Sequence, residues 1–230
     1  MGLDVGLIIE TLPKLLDGIG LTIAILVCSQ AGGFVLGGLI CAALLSKRAA
    51  IRLPARAYVT FFRGTPALVQ LFIIYYGLAQ FELVRASPLW IALRDPFWCC
   101  VIAFAMNSGA YTAEIMRGAL SGVPSGLAEA GRALGLHSFT IFRTITAPLA
   151  LRLFLPPYGN EVVSMLKTTA LASTVTLLDL TGVARTVVAQ TYAPYEIFIS
   201  AAIIYLALAW MIGLAVSALE RHFGKWQKAG

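Results

Sequence analysis

Long runs without a charged side chain organise the sequence. Residues 18–46 lie between Asp17 and Lys47. Residues 59–62 and 64–81 form a second run interrupted only by Arg63. Residues 96–113 lie between Asp95 and Glu114, and residues 197–219 between Glu196 and Glu220. Each approaches or exceeds the roughly 20 residues a helix needs to cross about 30 Å of hydrocarbon. A fifth run, residues 162–178, is apolar apart from Lys167 and several hydroxyls. The pattern predicts an all-α polytopic membrane protein with about five transmembrane helices, as one domain over residues 1–230. The first 17 residues carry Asp4, Glu10 and Asp17 and no basic segment ahead of the apolar run. They are not expected to act as a secretory signal, so the first helix should stay in the mature protein.

Composition agrees. The 230 residues are 59% hydrophobic and only 12% charged, where a soluble domain carries about 25%. Net charge is +6, which could suggest nucleic acid, but there is no soluble domain to carry a basic patch. Instead, Lys47, Arg48, Arg52 and Arg56 follow the first run. Arg117, Arg132, Arg143 and Arg152 follow the third, and Arg221, Lys225 and Lys228 follow the last. Basic segments stay in the cytoplasm, so the N-terminus is expected outside and the C-terminus inside. Cys28, Cys41, Cys99 and Cys100 all fall in predicted spans and read as small buried hydrophobes, without metal-ligand spacing.

Ionisable groups within a span usually face a partner or a water-filled path. Asn107, Tyr111 and Glu114 recur at i, i+4 and i+7 on one helix face, and Glu161, Ser164 and Thr168 do the same on another. Two carboxylates on such faces suit a cationic substrate. Thr169, Ser173 and Thr176 form a neighbouring polar stripe. Plainer readings stand beside these. Hydroxyls in membrane helices bond their own backbone carbonyls, Glu114 can pair with Arg117, and Glu161 can satisfy N–H groups freed where Pro156 and Pro157 break the helix. Lys167, six positions from Glu161, needs a partner from another helix or subunit. Gly64, Thr65 and Pro66 interrupt the second run, and broken helices often line substrate paths. Arg63 there can snorkel to the interface, whereas Gln70, two turns on, is the better path candidate. Gly33 and Gly37 stand at G-x-x-x-G spacing for close helix packing, within or between subunits.

The segment of about 120–148 is too patterned for a linker. Ser125 can cap a short helix and Gly135 can end it, with Leu127, Ala130 or Gly131, and Leu134 on one face. Ala128, Ala130, Gly131 and Ala133 are small enough to let such a helix enter a groove of another protein. An amphipathic helix resting on the membrane surface is the alternative.

Glu129-Ala130-Gly131, then Gly135, then Ile145, Ala147 and Pro148, resembles the EAA loop of binding-protein-dependent ABC importers. Gly131 and Ala147 depart from that family's usual Ala and Leu. Phe62-Arg63-Gly64-Thr65-Pro66 with Val69-Gln70-Leu71, Tyr111-Thr112-Ala113-Glu114-Ile115 with Arg117-Gly118, and Leu155-Pro156-Pro157 with Asn160-Glu161 are similar to its polar amino-acid permeases. Thr169-Ala170-Leu171-Ala172 with Asp179, and Thr191-Tyr192 with Pro194, further resemble the histidine/lysine/arginine/ornithine and opine permeases.

The resemblance implies a type I ABC importer permease fold in the bacterial inner membrane, moving polar, basic amino acids or opines, with glutamine or glutamate as alternatives. It implies that Glu129, Ala130, Gly131, Arg132, Leu134 and Gly135 belong to a coupling helix set in a cleft of a cytoplasmic ATPase dimer. It further implies a second permease subunit, either a homologous chain or a second copy, and an extracytoplasmic substrate-binding protein. The chain has no phosphate-cradling G-x-x-x-x-G-K-[ST] loop, nucleophile elbow or zinc motif. It is therefore not expected to be an enzyme or to bind a cofactor, and ATP and Mg²⁺ would sit on the partner. A secondary transporter is the main rival; it would need ion sites and commonly internal repeats, and no repeat is visible.

Overall fold

The computed structural model describes residues 4–224; Lys225 and Lys228 lie outside them. Helix α1 (Val5–Leu44) starts at Asp4, whose carboxylate accepts a hydrogen bond from Leu7 N–H at 3.1 Å. Helix α2 (Ala49–Gly64) is followed by α3 (Ala67–Phe72), which runs on through a π turn (Ile73–Gly77) and a 3₁₀ turn (Leu78–Gln80). Two short helices, Glu82–Arg85 and Trp90–Leu93, lead to α4 (Pro96–Ser121). Asp95 caps α4 through Phe97 N–H at 2.9 Å, and Pro96 sits in its first turn, where no N–H is needed. The small helix α5 (Ser125–Ala133) follows. A helical path then begins at Ser138–Ile141, passes a π turn (Phe142–Thr146), continues as α6 (Ala147–Thr168) and ends in a 3₁₀ segment (Thr169–Val175). Helices α7 (Leu180–Thr191) and α8 (Pro194–Gly224) complete the chain.

Four of these are long and apolar enough to cross a membrane: α1, α4, α8 and the path Ser138–Val175. Helices α2 and α3 meet at a bend of 108° and make a fifth span if counted together. At 40 residues, α1 is about 60 Å long at 1.5 Å per residue, so it extends well beyond the hydrocarbon.

Helix α4 is the hub. Cys99, Cys100, Phe104 and Ala110 on it are fully buried. The G-x-x-x-G pair of α1 packs within the subunit: a Cβ on Gly33 would lie 2.9 Å from Ser108 Cβ, and one on Gly37 would lie 2.7 Å from Thr112 Cβ. Ser108 Oγ donates to Gln30 Oε1 across this seam at 2.6 Å. No disulfide links the cysteines.

Several expectations change. The fourth span begins near residue 138 and not 162, because its N-terminal part carries Arg143 and Arg152 and so lacks the uncharged pattern of the other spans. Pro156 and Pro157 do not break the helix; both lie inside α6. Proline's fixed φ suits a helix, although the donors to the Arg152 and Leu153 carbonyls are lost and each ring crowds the carbonyl four residues before it. Phe154 and Tyr158 stack across the proline pair at 4.7 Å, and Phe34 of α1 packs edge-on against both. The Thr169/Ser173/Thr176 stripe does not form, because this stretch is 3₁₀ and not α-helical, so buried Thr169, Ala172 and Val175 align instead. Thr176 leaves it with a left-handed φ of 69°. Ser125 is the first residue of α5 and not its cap; the capping position is Pro124, with no side-chain bond.

Candidate functional site

The break between α2 and α3 sets the geometry. Thr65 is extended (φ −119°, ψ 148°), as the residue before proline prefers. Pro66 and Ala67 therefore turn toward α4 and α6. Together these elements enclose a cavity of about 250 Å³, lined by Thr65, Pro66, Ala67, Asn107, Tyr111, Glu161, Ser164, Met165 and Thr168. Five of the residues singled out from sequence thus converge: Asn107 and Tyr111 from α4, and Glu161, Ser164 and Thr168 from α6. Asn107 and Glu161 are buried, at 8% and 9% exposed. Glu161 makes no hydrogen bond to a freed backbone N–H among the described residues. A larger groove of about 560 Å³ between α1, α4 and α6 is lined by apolar groups such as Cys41, Met116, Phe142 and Phe154; it lacks convergent polar side chains and lies apart from these residues.

Two candidates fall outside the cavity. Glu114 is bound to Arg117, whose Nη2 donates to Glu114 Oε2 at 2.6 Å. Gln70 is only 3% exposed, and its side chain is committed to the helix break. Its Nε2 donates to Phe62 O at 2.9 Å, Thr65 O at 3.0 Å and Thr65 Oγ1 at 2.7 Å. Its Oε1 accepts from Asn107 Nδ2 at 2.9 Å. The 108° bend invalidates the count of two continuous helical turns from Arg63 that made Gln70 a path candidate. Arg63 lies over the ring of Tyr111, 5.2 Å from its centroid, at the edge of the cavity. Thr168, Thr169 and Ser173 follow the plainer reading: their hydroxyls donate to the carbonyls of Ser164, Leu166 and Ala170. Lys167 is exposed on α6, in a mostly apolar groove with Val163, Ala202, Tyr205 and Leu206, and has no carboxylate partner among the described residues.

Lining residues missed from sequence are Thr65, Pro66, Ala67 and Met165. The Gly64-Thr65-Pro66 interruption was the signal for the first three.

Helix α5 stands off the bundle. Glu129, Ala130, Arg132 and Leu134 are exposed, Leu134 at 80%. Gly131 faces inward: a Cβ there would lie 3.0 Å from Ile141 Cγ1. Its small size therefore serves packing within the chain and not approach to another protein. Gly135 ends the helix with φ 75°, and Gly135 and Leu136 N–H donate to Arg132 and Gly131 carbonyls at 2.9 and 3.0 Å. This is the Schellman arrangement, which needs a left-handed residue at that position.

Comparison with known proteins places this architecture. The octopine transport system permease protein OccM of Rhizobium meliloti is 46% identical over 211 residues, 92% of this chain and 86% of that protein. The nopaline transport system permease protein NocM of Agrobacterium fabrum is 42% identical, over 95% of this chain and 91% of that protein. The histidine/lysine/arginine/ornithine transport system permease protein HisM of Salmonella typhimurium is 39% identical, over 91% and 88%. Among solved structures, an amino acid ABC transporter determined with histidines superposes with a TM-score of 0.85 at 32% identity, over 96% of this chain and all of that one. The inward-facing MetNI methionine transporter matches in fold, with a TM-score of 0.77 at 19% identity over 93% of this chain and 98% of that one. The family model for the binding-protein-dependent transport system inner membrane component matches residues 34–227. The chain is a member of that family, an integral-membrane permease subunit of a binding-protein-dependent ABC importer with the type I permease fold.

Proposed function

We propose that this permease carries basic amino acids or opines, and that the cavity around Glu161 receives the cationic part of the substrate. The observation that carries this is the convergence of Glu161 with Asn107, Tyr111, Ser164 and Thr168 at a broken helix. A buried carboxylate needs a partner, and a guanidinium or ammonium group supplies it. The printed substrates of the octopine, nopaline and histidine/lysine/arginine/ornithine relatives support the same class.

The N-terminus faces outward and the C-terminus lies in the cytoplasm of a bacterium, with the protein in its inner membrane. The convergence of Arg143 and Arg152 with His222 and Phe223, and of Leu45 with Leu120 and Phe142, supports this, because it gathers the basic connecting segments at one end of the bundle. There α5 docks on a cytoplasmic ATPase dimer that binds ATP and Mg²⁺. Its exposed Glu129, Ala130, Arg132 and Leu134 form the contact surface, while Gly131 and Gly135 hold its shape. A second permease subunit completes the path, and an external binding protein delivers the substrate.

The test is uptake into liposomes holding the full complex. Glu161→Gln should reduce arginine uptake at least tenfold more than uptake of citrulline, its neutral counterpart. Equal loss for both rejects charge recognition, and uptake that persists without ATP rejects the importer assignment for the assembled complex.

A further inference from the structure

We propose that Gln70 is a positioning residue that turns the side-chain carbonyl of Asn107 into the cavity, giving the cavity fixed hydrogen-bond acceptors and a preference for a donor-rich cation. This rests on the reading of the cavity as the substrate path.

The orientation follows from proline chemistry. Pro66 has no N–H, so Phe62 O loses the donor that a continuous helix would place four residues on. Two side-chain amides replace it: Gln70 Nε2 at 2.9 Å and Asn107 Nδ2 at 3.3 Å. A backbone carbonyl only accepts, so both amides must present nitrogen to it. Gln70 is doubly fixed, because its Nε2 also donates to Thr65 O at 3.0 Å. Its Oε1 is thereby aimed at Asn107, whose Nδ2 donates to it at 2.9 Å. Both amide hydrogens of Asn107 are then committed. Its Oδ1 has no hydrogen-bond partner among the described residues and is not sealed from solvent. Asn107 lines the cavity, so the group it offers there is an acceptor.

The neighbouring lining groups agree in polarity, and the opposing charge, the Arg63 guanidinium, is held over the Tyr111 ring and is not among them. The Glu161 carboxylate accepts. The Thr168 hydroxyl hydrogen is committed to Ser164 O at 3.1 Å, which leaves its lone pairs free. Only Tyr111 and Ser164 keep hydroxyls able to turn either way. A guanidinium, with five donors and no acceptor, matches this arrangement. A ureido group, which offers a carbonyl oxygen to the same acceptors, does not.

The test uses the permease–ATPase complex in lipid nanodiscs without binding protein, so that the delivering protein's selectivity does not enter. Binding of radiolabelled arginine and citrulline is measured for Gln70→Met, Asn107→Ser and the double variant. Gln70→Met should lower the arginine-to-citrulline affinity ratio about tenfold, the scale of one hydrogen bond to a charged group. Because Gln70 acts through Asn107, the double variant should be no worse than Asn107→Ser alone. A wild-type ratio in Gln70→Met, or losses that multiply in the double variant, overturns the proposal. A proportional fall in both affinities, the mark of a merely structural role, also overturns it. If Gln70→Met does not assemble, Asn107→Ser decides: a tenfold fall in the ratio upholds the acceptor shell, and an unchanged ratio overturns it. The underlying reading fails separately, if the wild-type complex shows no preference for arginine.

Discussion

Two proline sites in this chain have opposite outcomes. A single proline, Pro66, stands at a 108° bend, while two in succession, Pro156 and Pro157, lie inside α6. The number of lost N–H donors does not decide between bend and continuation. What decides is the local backbone and what the neighbouring side chains offer. At Pro66 the preceding Thr65 is extended, and Gln70 and Asn107 take over the orphaned Phe62 carbonyl. The break is thus a satisfied structure in its own right. At the proline pair, the stacked rings of Phe154 and Tyr158, with Phe34 against them, bridge the weakened turn and favour a continuous rod. One site becomes a cavity wall and the other a strut that carries Glu161 to that cavity.

This contrast can be broken by substitution. The largest effect is expected from Phe154→Ala, which removes the bridging ring. It should cost about 3 kcal/mol, read as a lowered melting temperature of the purified complex, and spin-label distances along α6 should broaden. Pro66→Ala comes next. Its new N–H competes with Gln70 and Asn107 for Phe62 O, so uptake should fall about fivefold, the scale of 1 kcal/mol, with no gain in melting temperature. The smallest is Pro157→Ala, which returns a donor to the Leu153 carbonyl in a helix already formed. It should stabilise the complex by about 0.5 kcal/mol and leave uptake unchanged. If both proline replacements shift stability in the same direction, the two sites are not different in kind.

The periodic parts of the molecule were legible from the sequence. Uncharged runs located the spans apart from the basic first half of the fourth, and 3.6-residue spacing placed Asn107 with Tyr111 and Glu161 with Ser164 and Thr168, which the fold then brings together across one cavity. The parts that were not legible are those where the helical period fails. Gln70 was assigned to the path by counting through a bend. Thr169, Ser173 and Thr176 were aligned with an α-helical period in a 3₁₀ segment. Gly131 was read as an invitation to a partner, while the residue that crowds it, Ile141, sits across a reversal of the chain that spacing cannot see. Glu114 had its partner in plain view at Arg117, one turn on, where local pairing outweighs a distant substrate.

The seam between α1 and α4 bears on which polar groups the bundle can carry through a membrane. Of the four long apolar helices, α4 has the lowest mean hydropathy, and it carries Asn107, Ser108 and Thr112, all buried in the finished fold. Entering lipid alone, it would present these groups to hydrocarbon. Helix α1 brings Gln30, Gly33 and Gly37, the complementary face for Ser108 and Thr112. The glycine groove therefore acts as a lining in place of lipid: it lets one helix of the chain cover, at backbone distance, polar groups that hydrocarbon would not accept.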